Sequence, residues 1–121
     1  MLNRTFKSSP DYTVPNYFKV GTGTTTPDST DTDLDTAINI AGSATKAVAS
    51  GYPVLDESNL QATNRCILLT TDCNGNTITE FGLFNSDGTP KIFSRAVFTG
   101  ISKTSSVQII FVEKDKITEG A

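Results

Sequence analysis

Thr77-Ile-Thr-Glu-Phe-Gly-Leu-Phe-Asn-Ser-Asp-Gly-Thr-Pro-Lys-Ile-Phe-Ser-Arg-Ala-Val-Phe98 decides how the rest of the chain is read. Two runs rich in aromatic and β-branched residues flank Asn85-Ser86-Asp87-Gly88, where Asp-Gly supplies the positive φ angles of a tight reversal. The stretch is therefore a β-hairpin. A two-residue Asp87-Gly88 loop sets Ser86 opposite Thr89, and so Glu80 opposite Arg95. A buried carboxylate needs a partner, and this register supplies one across the strand pair. A three-residue loop would bring Ser94 there instead.

Working outward, Cys66-Ile67-Leu68-Leu69-Thr70-Thr71 reads as a strand, Asn74-Gly75 as a two-residue hairpin turn, and Val107 to Val112 as a last strand before a charged, exposed tail, Glu113 to Lys116. Short links between four successive strands make them antiparallel. The apolar runs 66–69 and 109–112 predict strands covered on both faces. The fold class that follows is all-β, a small antiparallel β-sandwich or flattened barrel. The N-terminal strand Tyr17 to Val20 and the 44–61 region complete the second layer. Whether 44–54 is strand or surface loop stays open. Thr30 or Asp31 is placed to cap a short helical turn near 31–38, with acids at its positive end. Residues 1–16, interrupted by Pro10 and Pro15, read as an N-terminal arm with Phe6 and Tyr12 as its apolar anchors, and 17–121 as one β domain.

Composition narrows the chemistry. At 121 residues the chain forms one domain with a single core. A net charge of −3 and a pI near 4.7 oppose nucleic-acid binding, which favours a clustered basic face. No apolar run approaches the ~20 residues of a membrane helix. The chain has no His, which removes the commonest general base, the usual activator of Ser or Cys, and the commonest zinc ligand. The expectation is a non-enzymatic protein without a cofactor. Gly21-Thr22-Gly23 after a strand lacks the Gly-Lys-Ser/Thr of a phosphate loop. Asp31, Asp33 and Asp35 alternate as in a calcium loop, but Thr36 and Gly42 stand where an EF-hand needs Gly and Glu. Cys66 and Cys73 on one strand would lie about 23 Å apart and on opposite faces, too far for a bridge. Two free thiols are expected, with Cys66 in the core and Cys73 at a turn.

Several of these segments resemble tailed-bacteriophage virion proteins, nearest to the collar-type domain at the base of tail fibres. The resemblance rests on Val20-Gly21-Thr22-Gly23 through Pro27 to Asp31-Thr32-Asp33-Leu34, then on Glu80-Phe81-Gly82-Leu83-Phe84, the acidic-Gly turn, Arg95-Ala96-Val97-Phe98 and Lys103-Thr104. It implies a structural protein of the tail, baseplate or fibre attachment, or a capsid decoration. Such a protein would be assembled in the host cytoplasm and carried in the virion, its partners other virion proteins and copies of itself, trimers by preference. Phe98, Val107, Ile109 and Phe111, with the arm's Phe6 and Tyr12, are the candidate contact residues. The competing reading is a carbohydrate- or ligand-binding β-sandwich module. Sugar sites favour exposed Trp or Tyr, and the chain has no Trp and three Tyr.

The hairpin yields a test of its own. Gly88→Val forces a β-branched residue into a positive φ, and thermal melting should show a loss of more than about 1 kcal/mol. An unchanged melting temperature would mean a turn of another type.

Overall fold

The computed structural model describes residues 15–85 and 91–116. Phe6, Tyr12 and the Asp87-Gly88 turn lie outside them. Two antiparallel sheets pack face to face. The first has the order β2 (Lys46–Ala47), β1 (Pro15–Gly21), β5 (Thr77–Asn85), β6 (Ile92–Ser102), and the second β3 (Val54–Asp56), β4 (Gln61–Leu68), β7 (Ile109–Lys116). The fold is an all-β sandwich. Between the sheets lie Phe18 and Val20 of β1, Cys66 and Leu68 of β4, Phe81 and Leu83 of β5, and Ile109 of β7. The Phe81 and Phe111 rings stack across the layers at 4.6 Å between centroids.

Four sequence expectations are corrected here. The successive strands do not form a meander, because β4 pairs with β7 and β5 with β6. Asn74-Gly75 therefore belongs to an arch that crosses from one sheet to the other. Positive φ at Cys73 (55°) and Gly75 (89°) reverses the chain there, and Gly75 N–H donates to the Lys103 carbonyl in the second arch, between β6 and β7. The N-terminal strand, moreover, joins the hairpin's own sheet beside β5. The 46–56 region resolves into the short edge strands β2 and β3. Finally, Glu113 to Lys116 is no tail but the second half of β7, paired with β4 as far as Gln61–Lys116.

The apolar runs also proved misleading about burial. Cys66, Leu68 and Ile109 point inward, while Ile110 and Val112 are 42% and 57% exposed on the far side. The second sheet thus has one covered face, and the runs carry apolar residues on both.

The first sheet is covered on both faces, and the outer cover is the chain's own loop 22–38. No helix is present among the described residues, so the turn expected near 31–38 does not form. Two of its amides are engaged elsewhere: Asp35 and Thr36 N–H donate to the Glu80 carboxylate at 2.9 and 2.7 Å, joined there by Gly23 N–H at 2.8 Å. Thr22 N–H to Thr36 C=O, an isolated bridge between Gly21 and Ala37, and Ile38 N–H to Val20 C=O return the loop to β1. Leu34, 7% exposed, seals it against Gly82, where an added Cβ would lie 3.0 Å from the Leu34 side chain. A Cβ on Gly21 or Gly23 would come within 2.5 Å of Glu80 Oε2. The two glycines of the Val-Gly-Thr-Gly run are thus required for close approach.

Glu80 is fully buried, and an amide in its place would turn an NH₂ toward donors. Glu80→Gln is expected to destabilise the domain by about 3 kcal/mol or more. Denaturant unfolding reads this directly. A midpoint equal to wild type would show that the loop is held by other contacts.

Candidate functional site

Glu80 and Arg95 come together, though not in the expected register. Arg95 faces Gly82 and Glu80 faces Val97. Irregularities between Leu83 and Phe84 and between Ile78 and Glu80 reset the pairing. The second lets Ile78 and Phe81, three apart, both enter the core. Glu80 and Arg95 become diagonal neighbours on one face, with Arg95 Nε 3.2 Å and Nη2 3.1 Å from Glu80 Oε1. Arg95 also donates to Asp31 Oδ2 (3.0 Å) and to the Thr25 carbonyl (2.8 Å). The guanidinium fork therefore ties β6 to the covering loop at two points and to β5 at a third. The donors on the carboxylate are backbone amides and a guanidinium, and together they join β5, β6 and the covering loop.

The alternating acids do not converge. Asp31 goes to Arg95, Asp33 to Lys19 (3.1 Å) and Asp35 to the Thr25 hydroxyl (3.0 Å). Among the described residues no group of three or more metal-ligating side chains forms. Cys66 and Cys73 are free and buried. Loss of hydration pushes the Cys66 thiol up to about 12 and raises that of Cys73. Burial thus disfavours the thiolate, the nucleophilic form, at both positions.

Sequence reasoning missed the buried Lys103. Its ammonium donates to Asn74 Oδ1 at 2.8 Å and the Thr104 carbonyl at 3.0 Å, locking one arch to the other. Lys46 bonds Asp72 (2.6 Å) and the Ile67 carbonyl (3.1 Å) to fasten the same arch to β2. Lys103-Thr104 was visible in the sequence only as part of the resemblance.

What remains open to a partner lies on the opposite side of the molecule. Ile110 and Val112 on β7 stand beside Ile67 and Arg65 of β4 on the outer face of the second sheet, and Val54 is 49% exposed on β3. Among the described residues, nothing pairs with the second edges of β6 and β7. Between these two edge strands opens a groove of about 330 Å³ lined by Ser94, Ala96 and Phe98 of β6 and Phe111, Val112 and Glu113 of β7. Phe98 and Phe111, 5.7 Å apart, form its aromatic floor. Ile109 lies inside the core, and Val107 packs against the core just ahead of β7. Of the expected contact residues, Phe98 and Phe111 therefore meet at one place, while Val107 and Ile109 do not reach it.

Ser94 Oγ donates to Glu113 Oε2 at 2.8 Å. Burial, reinforced by the neighbouring Asp115 charge, raises the Glu113 carboxyl from 4.5 to about 7. No protein-family model, curated protein or solved structure matches the chain.

The raised Glu113 sets a pH dependence. The folded state retains a proton that the unfolded chain releases near 4.5, so this contribution to stability is full below 4.5 and is lost as pH rises through 7. Glu113→Gln should flatten the fall in stability between these limits and exceed wild type at pH 8 by about 1 kcal/mol, allowing for partial solvation. Urea unfolding across pH 5–8 checks it. Parallel curves for the two proteins would place Glu113 in water.

Proposed function

We propose that this protein is a non-enzymatic structural subunit of a tailed-phage virion, a tail, baseplate or fibre-attachment part or a capsid decoration, working as one copy in a closed homo-oligomer, with a trimer favoured. The observation that carries the reading is the unequal treatment of the two sheets. The first sheet's outer face is covered by residues 22–38, whereas on the second Ile110 and Val112 stand exposed on the open edge strand β7, with Val54 exposed on β3 across β4. Apolar groups in such a row favour removal from water, and identical subunits that bury them do so with point-group symmetry. The fixed, fully engaged polar clusters suit a part that carries load. The sequence resemblance supplies the virion.

Sedimentation velocity on the purified protein is expected to give a multiple of 12.9 kDa, and Ile110→Lys/Val112→Lys to reduce it to the monomer without loss of folded signal. Phage particles lacking the gene are expected to be altered in composition, stability or adsorption. Particles indistinguishable from wild type would defeat the virion assignment.

A further inference from the structure

The groove between β6 and β7 has the chemistry of a strand seat. Its floor is aromatic at Phe98 and Phe111, and its end is acidic at Glu113, with Asp115 next on the same face of β7. Phe111 and Glu113 are two residues apart and so point the same way. The chain itself contains the complementary pattern, Arg4-Thr5-Phe6-Lys7, in which Arg4 and Phe6 are also two apart. An antiparallel strand on the free edge of β7 with Phe6 opposite Phe111 sets Arg4 opposite Glu113. A parallel one would place Ser8 there, so charge selects the antiparallel sense. Pro10, which cannot donate to a ladder, ends the usable segment on the side of β1.

We propose that this groove receives residues 3–8 of a neighbouring copy, added antiparallel to β7, with Phe6 on the Phe98–Phe111 floor and Arg4 on the carboxylate of Glu113. The proposal rests on the reading of the chain as one subunit of an assembly, and it names the contact. A neighbour, rather than the same chain, is the donor because Val112 belongs both to the groove and to the exposed apolar face. A second copy that delivers its arm also brings a body to cover Ile110 and Val112, which an arm folding back on its own domain would leave wet. Main-chain pairing gives such strand addition its strength, and the pockets for alternate side chains give its register.

The groups around Glu113 set a pH requirement. Asp115 stands on its own strand, Asn64 and Cys66 on β4, and Ser94 and Arg95 on β6, with Arg95 already engaged by Glu80 and Asp31. An arriving cation favours the ionised carboxylate, so association strengthens as pH rises from 6 to 8.

The test is sedimentation of the full chain with exchanged charges. Arg4→Glu and Glu113→Arg are each expected to weaken association at least tenfold, and the double variant Arg4→Glu/Glu113→Arg to regain most of it. Loss of the pH dependence in Glu113→Gln is expected alongside. Oxidation of Thr5→Cys/Val112→Cys, positions that this register sets opposite each other on the outer face, should give cross-linked species larger than one chain on a denaturing gel. If the cross-link forms within one chain, the arm serves its own domain and the proposal fails. If Arg4→Glu associates like wild type while Ile110→Lys/Val112→Lys does not, the arm is not the occupant, and the assembly reading stands without it. A monomer at every pH in all variants and wild type overturns both.

Discussion

A carboxylate buried at the centre of a sheet's outer face is the constraint on which this structure depends. Glu80 has no access to water, and the cost of burying an unpaired charge obliges the chain to bring donors to it. They come from two directions: three loop amides from residues 23, 35 and 36, and the guanidinium of Arg95. Once those amides are spent on Glu80 they cannot close helical turns, and the 22–38 segment becomes a cover in place of a helix. The bare backbones of Gly21 and Gly23 follow from the same carboxylate, whose oxygen occupies the space a side chain would take.

This arrangement also divides the molecule. The cover spends the polar loop, Leu34 and the Arg95 fork on one sheet. The second sheet is left with a single buried face and with Ile110 and Val112 outward. The two arches, joined by the Gly75–Lys103 backbone bond and the buried Lys103 ammonium, carry the chain across between the sheets. As a result the long strands β6 and β7 end up as edges on the same side of the sandwich. A meander would have paired β7 with β6 and left no groove.

Much of the fold was legible in local chemistry. The hairpin of β5 and β6, the strands around residues 66 and 110, and the need of Glu80 for Arg95 follow from turn residues, β-branched runs and the cost of a buried charge. Which sheet each strand joins was not legible. Asn74-Gly75 looks the same in a hairpin as in an arch, and the decision lies in Lys103 and Lys46, distant residues that fix the loop from outside it. Register escaped for a related reason. A counted turn length assumes regular pairing, and the irregularities at Ile78–Glu80 and Leu83–Phe84 answer to core packing. The apolar runs misled because a strand with one open apolar face and a strand covered on both faces have the same composition. The groove was invisible as well, since Ser94, Phe98, Phe111 and Glu113 meet only when two edges lie side by side.

The acids on the inner side of β7 complete the argument about that edge. An open edge strand invites pairing with any exposed β segment, and inward-pointing charges are one means by which natural sheets prevent it. Glu113 and Asp115 stand on the inward face of β7, where an uncharged apolar strand arriving beside them would leave carboxylates buried without a counter-charge. The same groups therefore exclude indiscriminate partners and, on the proposed reading, admit a strand that carries a cation two residues from an aromatic ring. Specificity of this kind is a difference between two affinities. It needs no catalytic constellation, only an apolar floor and a charge at fixed spacing along a strand that the Glu80 latch holds in place.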